Sequence, residues 1–207
     1  RQLMLFSATI SKRALDTARS LMKNPLIVLI EDAGEANPKI THMYFTAEQR
    51  DKIEVLRKLA AAIRPERAIV FLNKSEEIQL TTAKLQYHHI SAYDISGSAS
   101  KEERKKALES FRKGDIRFLI ASDIAARGLD IKGVTHIFNL DLPEDPKGYL
   151  HRVGRTGRMG EAGTAISIVT EREKALIRKY QRELNISISA KKIYKGTIMD
   201  LKKEARA

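Results

Sequence analysis

The sequence predicts an α/β protein in which a parallel sheet is covered by helices on both faces. Short apolar segments typical of buried strands alternate with longer segments whose apolar residues recur at helical spacing. Such alternation is typical of parallel sheets in which consecutive strands are joined by helices. The segments richest in glycine and arginine begin where predicted strands end, and parallel sheets bind their ligands at that edge.

The predicted elements place the main domain at residues 40–195. Strands are predicted over Ile40–Thr46, Ala68–Asn73, Ala92–Ile95, Phe118–Ser122, His136–Leu140 and Thr164–Val169. Helices are predicted over Glu48–Ile63, Ser75–Gln86, Lys101–Arg112, Lys147–Val153 and Glu171–Leu184. The basic segment 196–207 follows as a tail, for which we expect disorder.

Residues 1–30 form a separate predicted segment of strand, helix and strand. Apolar runs at Gln2–Phe6 and Leu26–Ile30 predict strands, the first of them buried. Between them Ser11 is a candidate helix cap, and the helix that follows has one apolar face made by Leu15, Ala18, Leu21 and Met22. The stretch 31–39 is acidic and contains glycine and proline, so it predicts a linker.

The charge of the chain favours a polyanionic partner. Lys and Arg number 38 against 26 Asp and Glu, which gives a net charge of +12 and a pI near 9.9. This balance favours nucleic acid as the partner, although a ribosome-associated or merely soluble basic protein has the same kind of composition. The absence of cysteine excludes disulfides and thiolate metal sites, and no spacing of histidines and carboxylates predicts a metal. Since no apolar run predicts a membrane span and no secretory signal is visible, we expect a cytoplasmic protein.

The octapeptide 151–158, His-Arg-Val-Gly-Arg-Thr-Gly-Arg, is the most informative segment of the chain. Arginine supplies a permanent positive charge in a rigid fork that fits phosphate oxygens, and the glycines let a ligand approach the backbone. If residues 147–157 are helical, His151, Arg155 and Arg158 lie on one face and Arg152 points elsewhere. A solvated basic helix end, or a segment that only touches RNA, has the same residue types.

A second segment, 118–131, reads Phe-Leu-Ile-Ala-Ser-Asp-Ile-Ala-Ala-Arg-Gly-Leu-Asp-Ile. It and the octapeptide resemble motifs V and VI of superfamily 2 helicases, in the spelling of the DEAD-box RNA helicases. Ser7-Ala8-Thr9 matches motif III of the same family. The resemblance covers nearly the whole chain. It implies the second RecA-like domain of such a helicase, with residues 1–30 as the end of the first domain.

The resemblance implies that the octapeptide acts in ATP hydrolysis. Arg155 and Arg158 correspond to arginine fingers, which reach the γ-phosphate of ATP and stabilise the transition state of phosphoryl transfer. Gly128 and Asp130 are the further cofactor-binding positions, and in the family the aspartate contacts the ribose hydroxyls. By its spacing alone, Asp130 would be interpreted as a turn carboxylate bound to neighbouring amides, but the surrounding Ala-Arg-Gly-Leu-Asp-Ile favours the ribose contact.

Another set of positions is expected to couple the two domains. The resemblance assigns this role to Ser7, Thr9, Asp123, Arg127 and His151. Arg127 is expected to bridge the domains, and His151 to order the interface with motif III. The short side chain of Asp123 at a strand end either fixes its loop or pairs with an arginine of the octapeptide.

The resemblance also implies an RNA path made of Asn73, Gly97, Lys101, Arg104 and Ser122. Two of these positions depart from the family, since Ser122 stands where threonine is usual and Lys101 where glutamine is common. The alternative for residues 101–106 is an ordinary charged surface. Because aromatic residues are few and tryptophan is absent, we expect contacts to phosphates and 2′-hydroxyls without base recognition.

Motifs that a complete helicase needs are missing from these 207 residues. No Gly-Lys pair occurs, so there is no phosphate-binding loop, and the Asp-Glu-Ala-Asp box is absent as well. We therefore expect the N-terminal RecA-like domain of the same protein to bind ATP and hold Mg²⁺, and this chain to be inactive alone. The alternatives are a non-catalytic RNA-binding module on the same fold and a superfamily 2 DNA helicase or translocase.

Overall fold

A computed structural model describes residues 3–6, 12–28, 37–95, 100–126 and 131–201. The chain divides into two compact units, Arg1–Glu35 and Ala36–Ala207. The boundary between the units falls within the segment that the sequence predicts as a linker.

The first unit contains one helix in its described part, α1, over Lys12–Leu21. The strand predicted over Gln2–Phe6 is wrong for residues 3–6, which have no regular structure and expose their apolar side chains. Leu26 and Val28 are likewise exposed and outside any strand, so the second prediction fails for residues 26–28. An isolated apolar run does not form a strand, since a strand requires a hydrogen-bonded neighbour.

The second unit contains strands and helices that alternate in chain order. The strands are β1 Ile40–Thr46, β2 Ala68–Phe71, β3 Ala92–Ile95, β4 Phe118–Ala121, β5 His136–Asn139, β6 Gly163–Val169, β7 Ser189–Tyr194 and β8 Thr197–Asp200. The helices are α2 Lys52–Ile63, α3 Ser75–Tyr87, α4 Lys101–Lys113, α5 Asp123–Ala126, α6 Pro146–Val153 and α7 Lys174–Leu184. Short 3₁₀ turns occupy Gln49–Asp51 and Arg158–Gly160. None of the helices in the described residues is both long and apolar enough to span a membrane.

All the strands form one sheet in the order β3-β4-β2-β5-β6-β1-β7-β8. Every pair is parallel except β7 with β8, which is antiparallel. The hairpin β7–β8 corrects the prediction of a disordered tail from residue 196, at least as far as residue 200. Its turn consists of Lys195 and Gly196, both at positive φ (47° and 77°), which is the geometry of a two-residue hairpin turn. Residues 202–207 lie outside the described part of the chain.

The sheet is covered on both faces, as predicted. Along β2, Ala68 and Val70 point into a core that includes Leu56 of α2 and Leu85 of α3. The alternate residues of β2 contribute to a core on the other face with Phe111 of α4. Side chains of α6 and α7 form a third core against β1 and β6. This two-sided burial explains why the inner strands are apolar throughout rather than alternating.

The predicted strands end one or two residues too late at functional positions. Asn73, Ser122 and Leu140 each follow the strand that they were expected to close. The shortening places the polar side chains of Asn73 and Ser122 at the carboxyl edge of the sheet, beyond the last paired residues of β2 and β4. That edge carries the candidate site.

Candidate functional site

Arg152 of α6 occupies the centre of the candidate site. Its side chain is 1% exposed. Its Nε and Nη2 atoms donate to Oδ1 and Oδ2 of Asp123, each at a distance of 2.7 Å. The fork of the guanidinium thus meets both oxygens of one carboxylate, which is the strongest geometry for such a pair. The octapeptide is joined in this way to the residue that opens α5, the short helix after β4.

The remaining donors of Arg152 bind groups at or just after the carboxyl ends of β2 and β5. Nη2 also donates to Oδ1 of Asn73 at 3.0 Å, and Nη1 donates to Oδ1 of Asn139 at 3.4 Å and to the carbonyl of Asp141. The guanidinium carbon lies 5.0 Å from the centre of the Phe71 ring. One buried cation therefore connects the ends of three neighbouring strands.

The position of Arg152 corrects the prediction that it points away from the site. That prediction assumed a helix through residue 157, but α6 ends at Val153, with Gly154 as its C-cap. His151, Arg155 and Arg158 therefore do not form one helical face. His151 is exposed on α6, and the two arginines lie in the turns that follow.

A helical pattern in the sequence contained the signal for the burial of Arg152. Tyr149 and Val153 are apolar, buried and four residues apart, and Arg152 lies between them on the same face. The charge of the octapeptide favours an exposed phosphate-binding stripe, whereas this apolar face places Arg152 in the interior. Asn139 was missed for a different reason, since a single amide in an apolar strand carries no distinctive pattern.

The loop that carries Arg155 and Arg158 is fixed by close packing. Gly157 has a φ of +64°, and a Cβ atom at this position would lie 2.8 Å from Cγ1 of Ile40. The carbonyl of Gly157 accepts from Nδ2 of Asn37 at 2.6 Å, and buried Thr156 donates its hydroxyl to the carbonyl of Val134. The backbone between the two arginines is therefore held at the position where it leaves α6.

The side chains of Arg155 and Arg158 are both partly exposed. Nε of Arg158 donates to the carbonyl of Gly154 at 3.3 Å, and the backbone N–H of Arg155 donates to the carbonyl of Arg152 at 3.1 Å. In contrast to Arg152, both residues are only partly buried. The octapeptide thus divides its arginines between one that is buried and two that are partly exposed.

Ser122 and Asp123 mark the start of α5. The Oγ atom of Ser122 accepts from the backbone N–H of Ala125 at 3.3 Å, so the serine caps this helix. Asp123 is 43% exposed at its side chain, although both of its oxygens bind Arg152. Of the two alternatives left open for Asp123, pairing with an arginine of the octapeptide is the one observed.

Arg104 joins α4 to the same region. Its Nη2 atom donates to the carbonyl of Ala125 in α5. The helix that presents it begins with a full capping box, in which Ser100 and Glu103 each accept from the other's backbone N–H. Arg104 is therefore held at the first turn of α4, with other N–H donors of its guanidinium left for a further acceptor.

Several predicted site residues lie outside the described part of the chain. These are Ser7, Thr9, Gly97, Arg127, Gly128 and Asp130. Lys101 begins α4, and its side chain likewise lies outside the described part of the structure. Among the residues that the structure describes, Asn73 and Asp123 both bind Arg152. Arg104 and Ser122 both form hydrogen bonds with Ala125 of α5.

Buried polar groups support the sheet beside the site. Nδ1 of His42 lies 2.9 Å from the hydroxyl of Tyr149, and burial lowers the pKa of His42. Lys52 is buried, with its Nζ atom 2.7 Å from the carbonyl of Leu140 and 2.8 Å from Oε2 of Glu173. Within the described ranges, no group of histidines and carboxylates has the arrangement of a metal site.

The parallel sheet and the arginine-centred site at its carboxyl edge define a RecA-like helicase domain. Residues 51–160 match the family model for the helicase conserved C-terminal domain, and the chain belongs to that family. The match begins just before α2 and ends with the turn that carries Arg158, so it contains every contact of Arg152 described above.

The relatives narrow the family to its DEAD-box members. The DEAD-box ATP-dependent RNA helicase CshC of Bacillus cereus is 37% identical over 205 residues, which cover 99% of this chain and 52% of that protein. The E. coli DEAD-box protein SrmB, in a crystal structure with regulator of ribonuclease activity A, is 32% identical with a TM-score of 0.69. That match covers 81% of this chain and 98% of the SrmB chain.

A third similarity extends over a larger solved chain. The structure of S. cerevisiae Dbp5 bound to RNA and ADP BeF3 has a TM-score of 0.80 and 29% identity, covering 91% of this chain and 51% of that one. This chain thus spans about half the length of the curated relatives that it matches. It contains the C-terminal RecA-like domain of a DEAD-box protein.

Proposed function

We propose that this chain is the C-terminal half of an ATP-dependent RNA helicase, which works together with an N-terminal RecA-like domain of the same protein. The observation that carries the proposal is the different burial of the three arginines of the octapeptide. Arg152 is buried against Asp123, whereas Arg155 and Arg158 lie in the fixed loop after α6 and are partly exposed. A segment that served only as a basic surface would not need this separation.

Arg155 and Arg158 are the proposed arginine fingers. A finger stabilises the charge that develops on the transferred phosphoryl group and contributes about three to five orders of magnitude to the rate. Such a group must be placed accurately, and Thr156 and Gly157 fix the backbone between the two arginines. Neither arginine can act on phosphate without a second surface that holds the nucleotide.

ATP fits this edge of the sheet because permanently charged guanidinium groups are suited to its phosphates. Bound there, it supplies the phosphoanhydride bond whose hydrolysis drives the conformational cycle. Gly128 and Asp130 are proposed to contact the nucleotide, with Asp130 at the ribose. We assign Mg²⁺ to the N-terminal RecA-like domain, and we therefore expect this chain alone to hydrolyse no ATP.

RNA is proposed to bind along the ends of β2, β3 and β4. Asn73, Gly97, Lys101, Arg104 and Ser122 are the assigned positions, all of which follow these strands or begin α4. Donors of Arg104 beyond the one bound to Ala125 suit a phosphate. Contacts of this type bind the backbone of a strand without regard to sequence.

Arg152 and the side chains that bind it, those of Asp123, Asn73 and Asn139, are proposed to couple the ATP-binding and RNA-binding surfaces. Arg152 joins the octapeptide through Asp123 to α5, and Ser122 and Arg104 both bind α5. A shift of the octapeptide on nucleotide binding would therefore move the proposed RNA contacts. Ser7, Thr9, Arg127 and His151 are the positions proposed to complete this coupling at the interface with the other domain.

ATP hydrolysis by the full-length protein tests the proposed function. We expect single-stranded RNA to stimulate turnover and DNA of the same sequence to do so weakly or not at all. Equal stimulation by DNA would indicate a DNA helicase or translocase instead. RNA binding without any hydrolysis would indicate a non-catalytic module, and hydrolysis by the isolated chain would contradict the assignment of its role.

A further inference from the structure

The β7–β8 hairpin lies apart from the proposed ATP and RNA contacts but projects from the same edge of the sheet. β7 runs parallel to β1 with Lys191 opposite Phe45, so Tyr194 lies beyond the end of β1 at Thr46. The turn Lys195–Gly196 follows directly. The tip of the hairpin therefore stands on the carboxyl edge, which also carries the proposed RNA and ATP contacts.

One face of the hairpin is buried and the other is open. Ile193 and Ile198 pair across the hairpin and pack against the core. Residues next to them point to the opposite face, because side chains alternate along a strand. On that face Tyr194 is 57% exposed and Met199 is 45% exposed, with Lys192 paired to Met199.

The open face combines an aromatic ring with positive charge. Nζ of Lys195 lies 5.6 Å from the centre of the Tyr194 ring. Lys191 forms an ion pair with Asp200 on the opposite face of the hairpin. No carboxylate of the described residues is within ion-pair distance of Lys192 or Lys195, so the ring is flanked by two cations that no described acid neutralises.

We propose that Lys192, Tyr194, Lys195 and Met199 form an accessory surface for single-stranded RNA. The inference rests on the proposed function, since it extends the path of the same RNA. An aromatic ring that stacks on a base, together with lysines at the phosphates, is the usual composition of surfaces that bind single strands without sequence preference. The local positive charge favours a polyanion over an apolar protein partner.

The sheet order sets the length of RNA that can use both surfaces. β8 is five positions from β2, which corresponds to about 24 Å at the usual spacing of strands. A short strand held at the ends of β2 and β4 does not reach the hairpin, whereas a longer one does. The accessory contact is therefore expected only with long RNA.

Fluorescence anisotropy with RNA strands of about 4 and about 16 nucleotides tests this inference. Tyr194→Ala in the full-length protein should weaken binding of the long strand at least about fivefold and leave the short strand unchanged. Tyr87→Ala is the matched control, because Tyr87 is an 81% exposed tyrosine of α3. Replacing both Lys192 and Lys195 by Gln should flatten the dependence of log K on log salt by about 1.4 for the long strand.

The outcomes separate this inference from the proposed function. In one outcome, Arg104→Ala weakens RNA binding while the hairpin variants bind the long strand like the parent. That result would refute the accessory surface and support the proposed RNA contacts at the ends of β2, β3 and β4. Equal losses for Tyr194→Ala and Tyr87→Ala also refute it, since exposed tyrosines in general would then matter. A parent protein that binds no RNA of either length overturns both proposals.

Discussion

Arg152 and Asp123 form a two-point ion pair across 29 residues of sequence, with two N–O distances of 2.7 Å. The arginine is 1% exposed, whereas the carboxylate is 43% exposed. The pair therefore holds a buried cation by means of an anion that still faces the solvent. It also fixes the position of α6 relative to α5, and hence the origin of the loop with Arg155 and Arg158.

Removal of the charge of Asp123 should destabilise the domain. Asp123→Asn leaves the buried guanidinium of Arg152 without its counter-charge, and we expect the free energy of unfolding to fall by about 3 kcal/mol, at the lower end for broken buried pairs. Arg152→Lys should cost a similar amount, because an ammonium group cannot replace the two-point contact. Urea denaturation measures both changes. Arg178→Lys, at an exposed position of α7, is the control, and a loss as large there would contradict the assignment.

Gly157 should not tolerate a methyl group. Gly157→Ala forces an L-residue to a φ of +64° and places its Cβ 2.8 Å from Ile40. Gly114→Ala provides a matched control, since Gly114 has a φ of +88° but nothing within 4 Å of the added atom. Both variants bear the cost of the left-handed backbone, and we expect Gly157→Ala to lose about 1–3 kcal/mol more through the clash. Equal losses in thermal or urea unfolding would show that Ile40 yields without cost.

Acid should weaken the fold through His42. Burial lowers the pKa of His42 from the usual value of 6.5. Just below pH 6.5, His42 is therefore protonated more readily in the unfolded chain than in the folded one. Above pH 6.5 this difference in proton binding does not destabilise the fold. Below pH 6.5 the free energy of unfolding falls as the pH drops, by up to about 1.4 kcal/mol per pH unit. Unfolding of His42→Gln should depend less on pH below 6.5. The prediction fails if the parent and the variant have the same slope.

Arg104 should contribute one phosphate contact in addition to its bond with Ala125. Arg104→Ala is expected to flatten the dependence of log K on log salt for single-stranded RNA by about 0.7. Arg104→Lys keeps the charge and should retain most of that slope, even if the contact with Ala125 is lost. A slope that neither substitution changes would remove Arg104 from the RNA path.

The sequence predicted the central sheet because its strands are apolar and its helices amphipathic. β1 and β3 have the predicted bounds, and α3 differs by one residue. The β7–β8 hairpin was missed because no strand was predicted after the helix that ends at Leu184 and because β8 was assigned to the basic tail 196–207, although Lys195 and Gly196 provide the turn. At the N-terminus the apolar run 3–6 was taken for a strand, but pairing depends on a neighbour that periodicity cannot supply.

The candidate site was predictable in its members and less so in its arrangement. The octapeptide and Asp123 were identified, and the pairing of Asp123 with an arginine was one of two alternatives. Which arginine pairs with it depended on where α6 ends, and Gly154 ends the helix three residues before Gly157. Helix ends depend on local capping contacts rather than on periodicity, so the exchange of roles between Arg152 and its neighbours required the structure.

The ATPase turnover of arginine variants tests the central claim most directly. In the full-length protein with saturating RNA, Arg155→Ala and Arg158→Ala should each lower turnover about a thousandfold or more, while RNA affinity without nucleotide changes little. Arg178→Ala, on the exposed face of α7, should leave both quantities unchanged. Near-normal turnover in both variants together with a uniform loss of RNA affinity would contradict the account, because the two arginines would then bind RNA phosphates in the ground state rather than the transferred phosphoryl group.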